Sequence, residues 1–440
     1  MRRGRGRVDR DVSRRDFLGL AGRAGMGALA FMFGGAMPLS AQTPGTRPVP
    51  RRTGVMVWRE FHLEAHRINW ELAPGRFFKV HAFNGQVPGP EIRVREGDMV
   101  RVHMDNDIPD QELGLHWHGV DEILMPTVPI AIPDEPVGTG DEFVYEFEAK
   151  PSGTRWYHPS HHWPGVVQMD SGLFGPMVFE PLEGEPFPFD REYTLSFDDW
   201  ATGTGPVLPG TWGGTAAGGA GGGMGSMPGL QMMGGMMRGP RTMPYDLMTI
   251  NGKAYPLTKP LVVRQGEVVR LRMLNPSNYL THVIRLANHR LYVTHTDGNP
   301  LLQPVEVDAL PITVSERYDV NFVADRPGTH FLYCAQPGHA AAGEMVPVVY
   351  EGFEGIAPAP PMPVLAGLRV WHYALGRGRD VIPPPTGQLR NFQMTLMGQP
   401  MTDGWTINGK QYPRVYDKWV VNVGDLVRVQ IVNMTMQNHP

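Results

Sequence analysis

Apolar and polar residues alternate with period two along much of this chain. Runs such as FVYEFEA (143–149) and LVVRQGEVVRLRML (261–274) set β-branched and aromatic residues against Arg, Gln or Glu. That alternation predicts strands with one buried face, and β-branched side chains suit a pleated surface. Few windows sustain a 3.6-residue period, so little helix is expected.

A ten-residue unit recurs three times. It reads GDMVRVHMDN from Gly97, GEVVRLRMLN from Gly266 and GDLVRVQIVN from Gly424. FNGQVPGP from Phe83, INGKAYPL from Ile250 and INGKQYPR from Ile407 precede the three copies. Asn-Gly is a turn dipeptide, because both residues tolerate positive φ. The copies start 169 and 158 residues apart, the scale of a duplicated domain rather than a solenoid repeat. The expected fold is all-β, with tandem Greek-key β-sandwiches over 55–185, 190–355 and, in part, 365–440. The third copy runs only seven residues past its repeat, so the reading is of a domain cut short.

Composition narrows the class. Gly 54 and Pro 43 mark a turn-rich chain, and 41% hydrophobic residues allow a sizeable core. A net charge of -4 argues against nucleic acid as a partner. Cys334 stands alone, which excludes an intrachain disulfide framework and zinc sites built on several cysteines. Residues 1–41 open with a basic region and continue into a Gly/Ala-rich apolar run from Phe17 to Met37, ending in small residues. This is the layout of a signal peptide, and Arg14-Arg15 in SRRDFL match a twin-arginine export signal. The expected location is periplasmic or otherwise extracytoplasmic, with the twin-arginine machinery as export partner. Beyond the leader no stretch has the roughly 20 apolar residues needed to span a bilayer.

Histidine placement carries the chemistry. His116-Trp117-His118-Gly119 puts two imidazoles two residues apart, on one side of a strand. Trp156-Tyr157-His158-Pro159-Ser160-His161-His162 supplies a second group. Two such elements on neighbouring strands would surround metal with nitrogen ligands, which suit copper, zinc or iron. The next tandem unit holds His282, Cys334, His339 and Met345. A thiolate, two imidazoles and an axial thioether make a blue-copper site. Glu344 stands at the tenth position after Cys334 and Met345 at the eleventh, one later than expected for an axial ligand.

With these motifs in view, the chain resembles the multicopper oxidases of the laccase and cuprous-oxidase superfamily. LHWHG (115–119), WYHPSHH with QMDSGLFG (156–175), ERYDV (316–320) and the terminal NHP (438–440) carry the resemblance. It implies cupredoxin-like domains and half of a trinuclear copper cluster from His116, His118 and His158; where the family's second pair is H-x-H this chain has Ser160, which leaves either His161 or His162 as the partner of His158. It also implies His439 as a blue-copper ligand of the third domain. The resemblance further implies one-electron oxidation of a reducing substrate, with dioxygen reduced to water. Tyr333 and Ala335 flank Cys334 where the family's electron bridge has His on both sides. Asp121 and Glu122, just after HWHG, are the candidate proton relays. A Gly-rich insert over 212–245 holds seven Met between Met224 and Met243. Thioethers are soft ligands for Cu(I), so either Cu(I) or a phenol is the expected reducing substrate. Two alternatives remain at this level: a copper nitrite reductase, and a non-catalytic exported copper-binding or electron-transfer protein.

Overall fold

The computed structural model describes residues 57–120, 136–160, 162–204, 245–362, 364–380, 386–398, 406–410, 419–435 and 439. The expected leader over 1–41, the Met-bearing stretch 212–244, Asp121, Glu122 and His161 lie outside them. For His162 only the backbone is described.

Two facing sheets build the first sandwich. One has the order β2-β1-β4-β6, from β1 (Trp58–Ala73), β2 (Arg76–Phe83), β4 (Met99–Asn106) and β6 (Glu142–Glu148). The other has the order β3-β8-β7-β5, from β3 (Ile92–Arg95), β5 (Leu115–His118), β7 (Gly153–Pro159) and β8 (Gly175–Glu180). Among the described residues the one α-helix is α1 (His162–Asp170), which follows β7. The burial of β4 alternates along its length, as its sequence predicts. Leu63, Val100, Val102, Trp117, Phe147 and Phe179 fill the space between the sheets.

The second sandwich is larger. Its six-stranded sheet has the order β10-β9-β12-β17-β14-β15. These strands are β9 (Arg191–Trp200), β10 (Leu247–Ile250), β12 (Val268–Leu274), β14 (Leu291–Thr296), β15 (Asn299–Val307) and β17 (Arg317–Val323). Its five-stranded sheet has the order β11-β19-β18-β13-β16. These are β11 (Leu261–Val263), β13 (His282–Leu286), β16 (Leu310–Ile312), β18 (Thr329–Cys334) and β19 (Met345–Tyr350). A further sheet, β21-β20-β22, comes from β20 (Leu389–Met397), β21 (Thr406–Ile407) and β22 (Leu426–Asn433).

The three sequence repeats are three copies of one local machine. Asn84, Asn251 and Asn408 take φ of 52°, 52° and 54°, each followed by a positive-φ Gly. Each Asn side chain clamps the strand beside it. Asn84 accepts from Glu64 N and donates to His62 O. Asn251 does the same with Ser196 N and Thr194 O, and Asn408 with Thr395 N and Gln393 O. The acid of each repeat closes the turn before it: Asp98 accepts from Arg95 N, Glu267 from Arg264 N and Asp425 from Asn422 N. The repeat strand then runs parallel to the clamped strand in all three copies.

One expectation is corrected by the packing. The Arg residues of the second repeat should face solvent on a half-buried strand, yet every residue of β12 is buried. The segment before β9 covers that face. Arg270 pairs with Glu185, donates to Phe187 O at 2.7 Å and lies over the Phe189 ring. Arg272 pairs with Glu192, Asp319 and Glu185 at 2.7, 2.9 and 3.1 Å. Fully paired guanidinium groups are tolerated inside a protein where unpaired ones are not.

The two sandwiches share an apolar seam of Leu72, Val80, Val87, Trp156, Phe174, Trp200 and Leu274. Trp70 Nε1 donates to Gly252 O at 2.8 Å, and Ala254 N donates to Leu72 O at 2.7 Å. Thr154 Oγ1 donates to Asp319 at 2.5 Å. At Gly153 a Cβ would lie 2.2 Å from Gly298 O, so only glycine allows this approach. This seam holds β7, which carries His158, against the second sandwich.

Candidate metal centres

The first centre lies on β5 and β7. These antiparallel neighbours pair His116 with His158 and His118 with Trp156. The pleat sends all three imidazoles to one face, and one nitrogen from each lies within 4.8 Å of the others. His118 Nδ1 is 3.3 Å from His158 Nε2. Trp156 stacks on His158 at 4.0 Å and on His118 at 5.2 Å between ring centroids. Trp117 points the other way, into Tyr145, Phe147 and Tyr157, and anchors the strand.

The imidazoles are prepared as neutral donors. His158 Nδ1 donates to Pro159 O at 2.8 Å, which leaves its Nε2 lone pair for the centre. His116 Nδ1 is buried with no partner. Burial, with Arg317 adding, holds His116 below its ordinary range and pushes His118 down to about 2. Burial and then His116 push His158 down to about 3. Arg317 comes from the second sandwich, where Asp297 Oδ1 sits 3.1 Å from Nη1 and Ser315 O accepts from Nη1 at 2.9 Å. It presses on the HWHG corner: a Cβ at Gly119 would meet Arg155 Cδ at 2.7 Å and Arg317 Nη2 at 3.2 Å.

The second centre lies inside the second sandwich. His282 opens β13, Cys334 closes β18, His339 sits in the loop that follows, and Glu344 precedes β19. All four are wholly buried. His282 Nδ1 lies 2.6 Å from Glu344 Oε1, and His339 Nδ1 lies 3.1 Å from Glu344 Oε2. Cys334 Sγ is 3.4 Å from His339 Nδ1 and accepts from Val283 N at 3.2 Å. His282 Nε2 and His339 Nε2 are buried without partners. Burial opposes charge on His282, but Glu344 outweighs it and raises the imidazole above its ordinary value. Burial opposes charge on Glu344 as well, yet the two imidazoles hold its carboxyl at about 2. Burial, with Glu344 adding, raises the Cys334 thiol well above the usual range.

The structure brings together His116, His118 and His158, and separately His282, Cys334 and His339. It corrects one expected ligand. Met345 pairs with Tyr333 across β18 and β19, on the face opposite Cys334. There it packs with Val283, Phe331 and Tyr333 rather than with the metal-competent group. Cys334 N donates to Glu344 O at 3.1 Å, and this register delivers Glu344 to the centre. The tenth-position spacing from Cys334 was the signal for it. His439 Nε2 lies 2.9 Å from Thr435 Oγ1, beside the β21-β20-β22 sheet. Arg317 is a residue whose ERYDV motif was visible but whose contact with the histidine corner was not.

Comparison with known proteins agrees with this architecture. Two profiles described as multicopper oxidase match residues 64–184 and 229–349. The multicopper oxidase MmcO of Mycobacterium tuberculosis is 29% identical over 98% of this chain and 84% of its own length. Copper resistance protein A of Pseudomonas syringae pv. tomato is 30% identical, over 56% of this chain and 43% of its own. The L-ascorbate oxidase of Nicotiana tabacum is 28% identical over 62% and 47%. The chain thus spans under half the length of the last two relatives. Among solved structures, a blue copper oxidase from Nitrosomonas europaea aligns with a TM-score of 0.52 and 30% identity, over 67% of this chain and 86% of that one. The sandwiches are therefore cupredoxin-like, as the sequence leads one to expect.

Proposed function

The chain belongs to the multicopper oxidase family, and we propose that it is an exported copper-dependent oxidase that uses dioxygen as acceptor. One observation carries the proposal: three convergent, half-buried, neutral imidazoles on β5 and β7, with no acid joining the group among the described residues. Neutral imidazole is a good donor to copper, and the unpartnered His116 Nδ1 marks a site that fits a metal. His116, His118 and His158 would hold the copper of the first centre, and His282, Cys334 and His339 are donors for a metal ion at the second. Copper supplies the one-electron chemistry and the binding of dioxygen.

The protein's own part is geometry and environment. Pro159 O fixes the tautomer of His158, and Trp156 fixes the ring planes. Arg317 and Arg155 hold the corner at Gly119, so the two sandwiches set the position of His118 jointly. Burial keeps every donor of the first centre deprotonated and ready for metal across the ordinary pH range. Asp121 and Glu122 remain the acids placed by sequence to pass protons, and one of His161 and His162 remains the further imidazole. The reducing substrate on this reading is Cu(I), or else a phenol. Seven Met in the insert and a relative named for copper resistance support the first. The named relatives are oxidases and copper resistance proteins, which does not favour nitrite reduction. Export through Arg14-Arg15 is part of the same reading; no helix among the described residues is long and apolar enough to cross a membrane.

Oxygen uptake with Cu(I) or a phenol as the reductant, alongside copper content, tests this. His118→Ala should lower bound copper and lose oxygen uptake while the folded circular dichroism is kept. Unchanged uptake in that variant would sink the proposal. A phenol oxidised faster than Cu(I), unaffected by deleting 212–244, would move the substrate to the phenolic class.

A further inference from the structure

The second centre has a carboxylate where a thioether was expected. We infer that Glu344 is the fourth ligand of a Cys-His-His-Glu site that holds a divalent ion and keeps it divalent; this rests on His282, Cys334 and His339 binding metal. Three observations carry it. The Glu344 oxygens reach Nδ1 of both imidazoles, at 2.6 and 3.1 Å. All four residues are wholly buried. Met345 is turned to the other face by its pairing with Tyr333.

Charge then selects the ion. Metal-bound cysteine is a thiolate, so the donor set brings two negative charges and two neutral imidazoles. A divalent ion makes the buried group neutral. A monovalent ion leaves one uncompensated charge, which a wholly buried site strongly disfavours. Ligand softness points the same way, because a carboxylate oxygen is a poor partner for Cu(I) and a good one for Cu(II), Zn(II) or Co(II). A thioether at this position would reverse both preferences. The route out of the site is also plain. Cys334 is bracketed by Tyr333 and Ala335, both buried, and neither offers an imidazole to carry an electron onward. The second centre is therefore a static divalent site that ties β13, β18 and β19 together, rather than an electron entry.

The full chain, stripped of metal by chelation and titrated with Co(II), Zn(II), Cu(II) and Cu(I), tests this. Cys334 is the chain's single cysteine, so any thiolate-to-metal absorption band reports this centre alone. The wild type should give the intense bands of tetrahedral, thiolate-bound Co(II), and Zn(II) should displace it. Its X-ray absorption should show one sulfur and three nitrogen or oxygen neighbours. Glu344→Gln should keep the thiolate band and weaken Co(II) binding at least tenfold. Glu344→Met should show two sulfur neighbours. It should also shift the ratio of Cu(II) to Cu(I) affinities at least tenfold toward Cu(I), about 59 mV for a one-electron couple. A wild-type band with only three ligands, or a Glu344→Gln titration that matches wild type, overturns the role of Glu344 while leaving the metal site standing. Absence of any thiolate band in the wild type overturns the metal site itself, and this inference with it.

Discussion

Strand geometry puts side chains two residues apart on the same face. Two histidines at i and i+2 must share a face, so His116 and His118 could be assigned to one centre without coordinates. His158 followed from the second group. Glu344 was hidden by expectation of residue type. Its spacing from Cys334 was legible, but only the pairing of Tyr333 with Met345 shows which side chain turns inward. Gly119 is a further case. Its φ of 90° and its neighbours Arg155 and Arg317 leave no room for a Cβ. Arg155 cannot swing away, since Nη2 donates to Ser152 O at 2.9 Å and Nη1 to Asp297 O. Gly119→Ala should therefore destabilise the fold by about 1–3 kcal/mol from backbone strain. It should also lower copper retained by the first centre, because His118 is the adjacent residue. Urea denaturation and metal analysis on the same preparation check both, and a variant as stable as wild type would show that the corner yields.

At the scale of elements, the period-two pattern located the strands but misjudged how deeply some are buried. Nothing in GEVVRLRMLN distinguishes an exposed Arg face from one covered by Glu185, Phe187 and Phe189. Those partners lie some eighty residues away in sequence, and burial of charge depends on who covers it. The consequence is measurable. Arg272 and Asp319 face each other at 2.9 Å with almost no exposure, and Thr154 of the first sandwich also donates to Asp319. Asp319→Ala would remove the one wholly buried carboxylate of the three that pair with Arg272, an expected loss of about 3 kcal/mol. Arg272→Met combined with Asp319→Leu should recover part of it, because the apolar pair needs no partner while Glu185 keeps Arg270 and Glu192 keeps Arg93. Chemical denaturation of the single and double variants forms the cycle. Additive losses would mean that the pair does not act as a unit.

For the molecule as a whole, the repeats announced the architecture. Three Asn-Gly clamps with three parallel strand pairs are one design used three times, and each clamp is local enough to be legible. The seam between sandwiches was not legible, since close approaches such as Gly153 to Gly298 join residues far apart in the chain. Its acid sensitivity follows from histidines that are buried outside the metal centres. His81 lies beside the seam, where Arg67 Nε donates to its Nε2 at 3.2 Å. An acceptor nitrogen is a deprotonated one. Burial first, and Arg67 second, push its pKa from 6.5 down to about 4. His289 and His295, in the second sandwich, are likewise lowered to about 4 by burial. The unfolded chain thus takes up protons near pH 6.5 that the folded chain refuses until about pH 4. Stability from these groups is full above pH 6.5 and falls as the pH drops through that window, by about 1.4 kcal/mol per unit for each group. His81→Gln removes one contribution while keeping a polar side chain of similar reach. Unfolding free energies of wild type and His81→Gln, measured from pH 7 to pH 4.5, should converge as the pH falls. Parallel curves would mean that His81 takes up its proton in the folded protein at the same pH as in the unfolded chain, and that Arg67 does not hold it deprotonated.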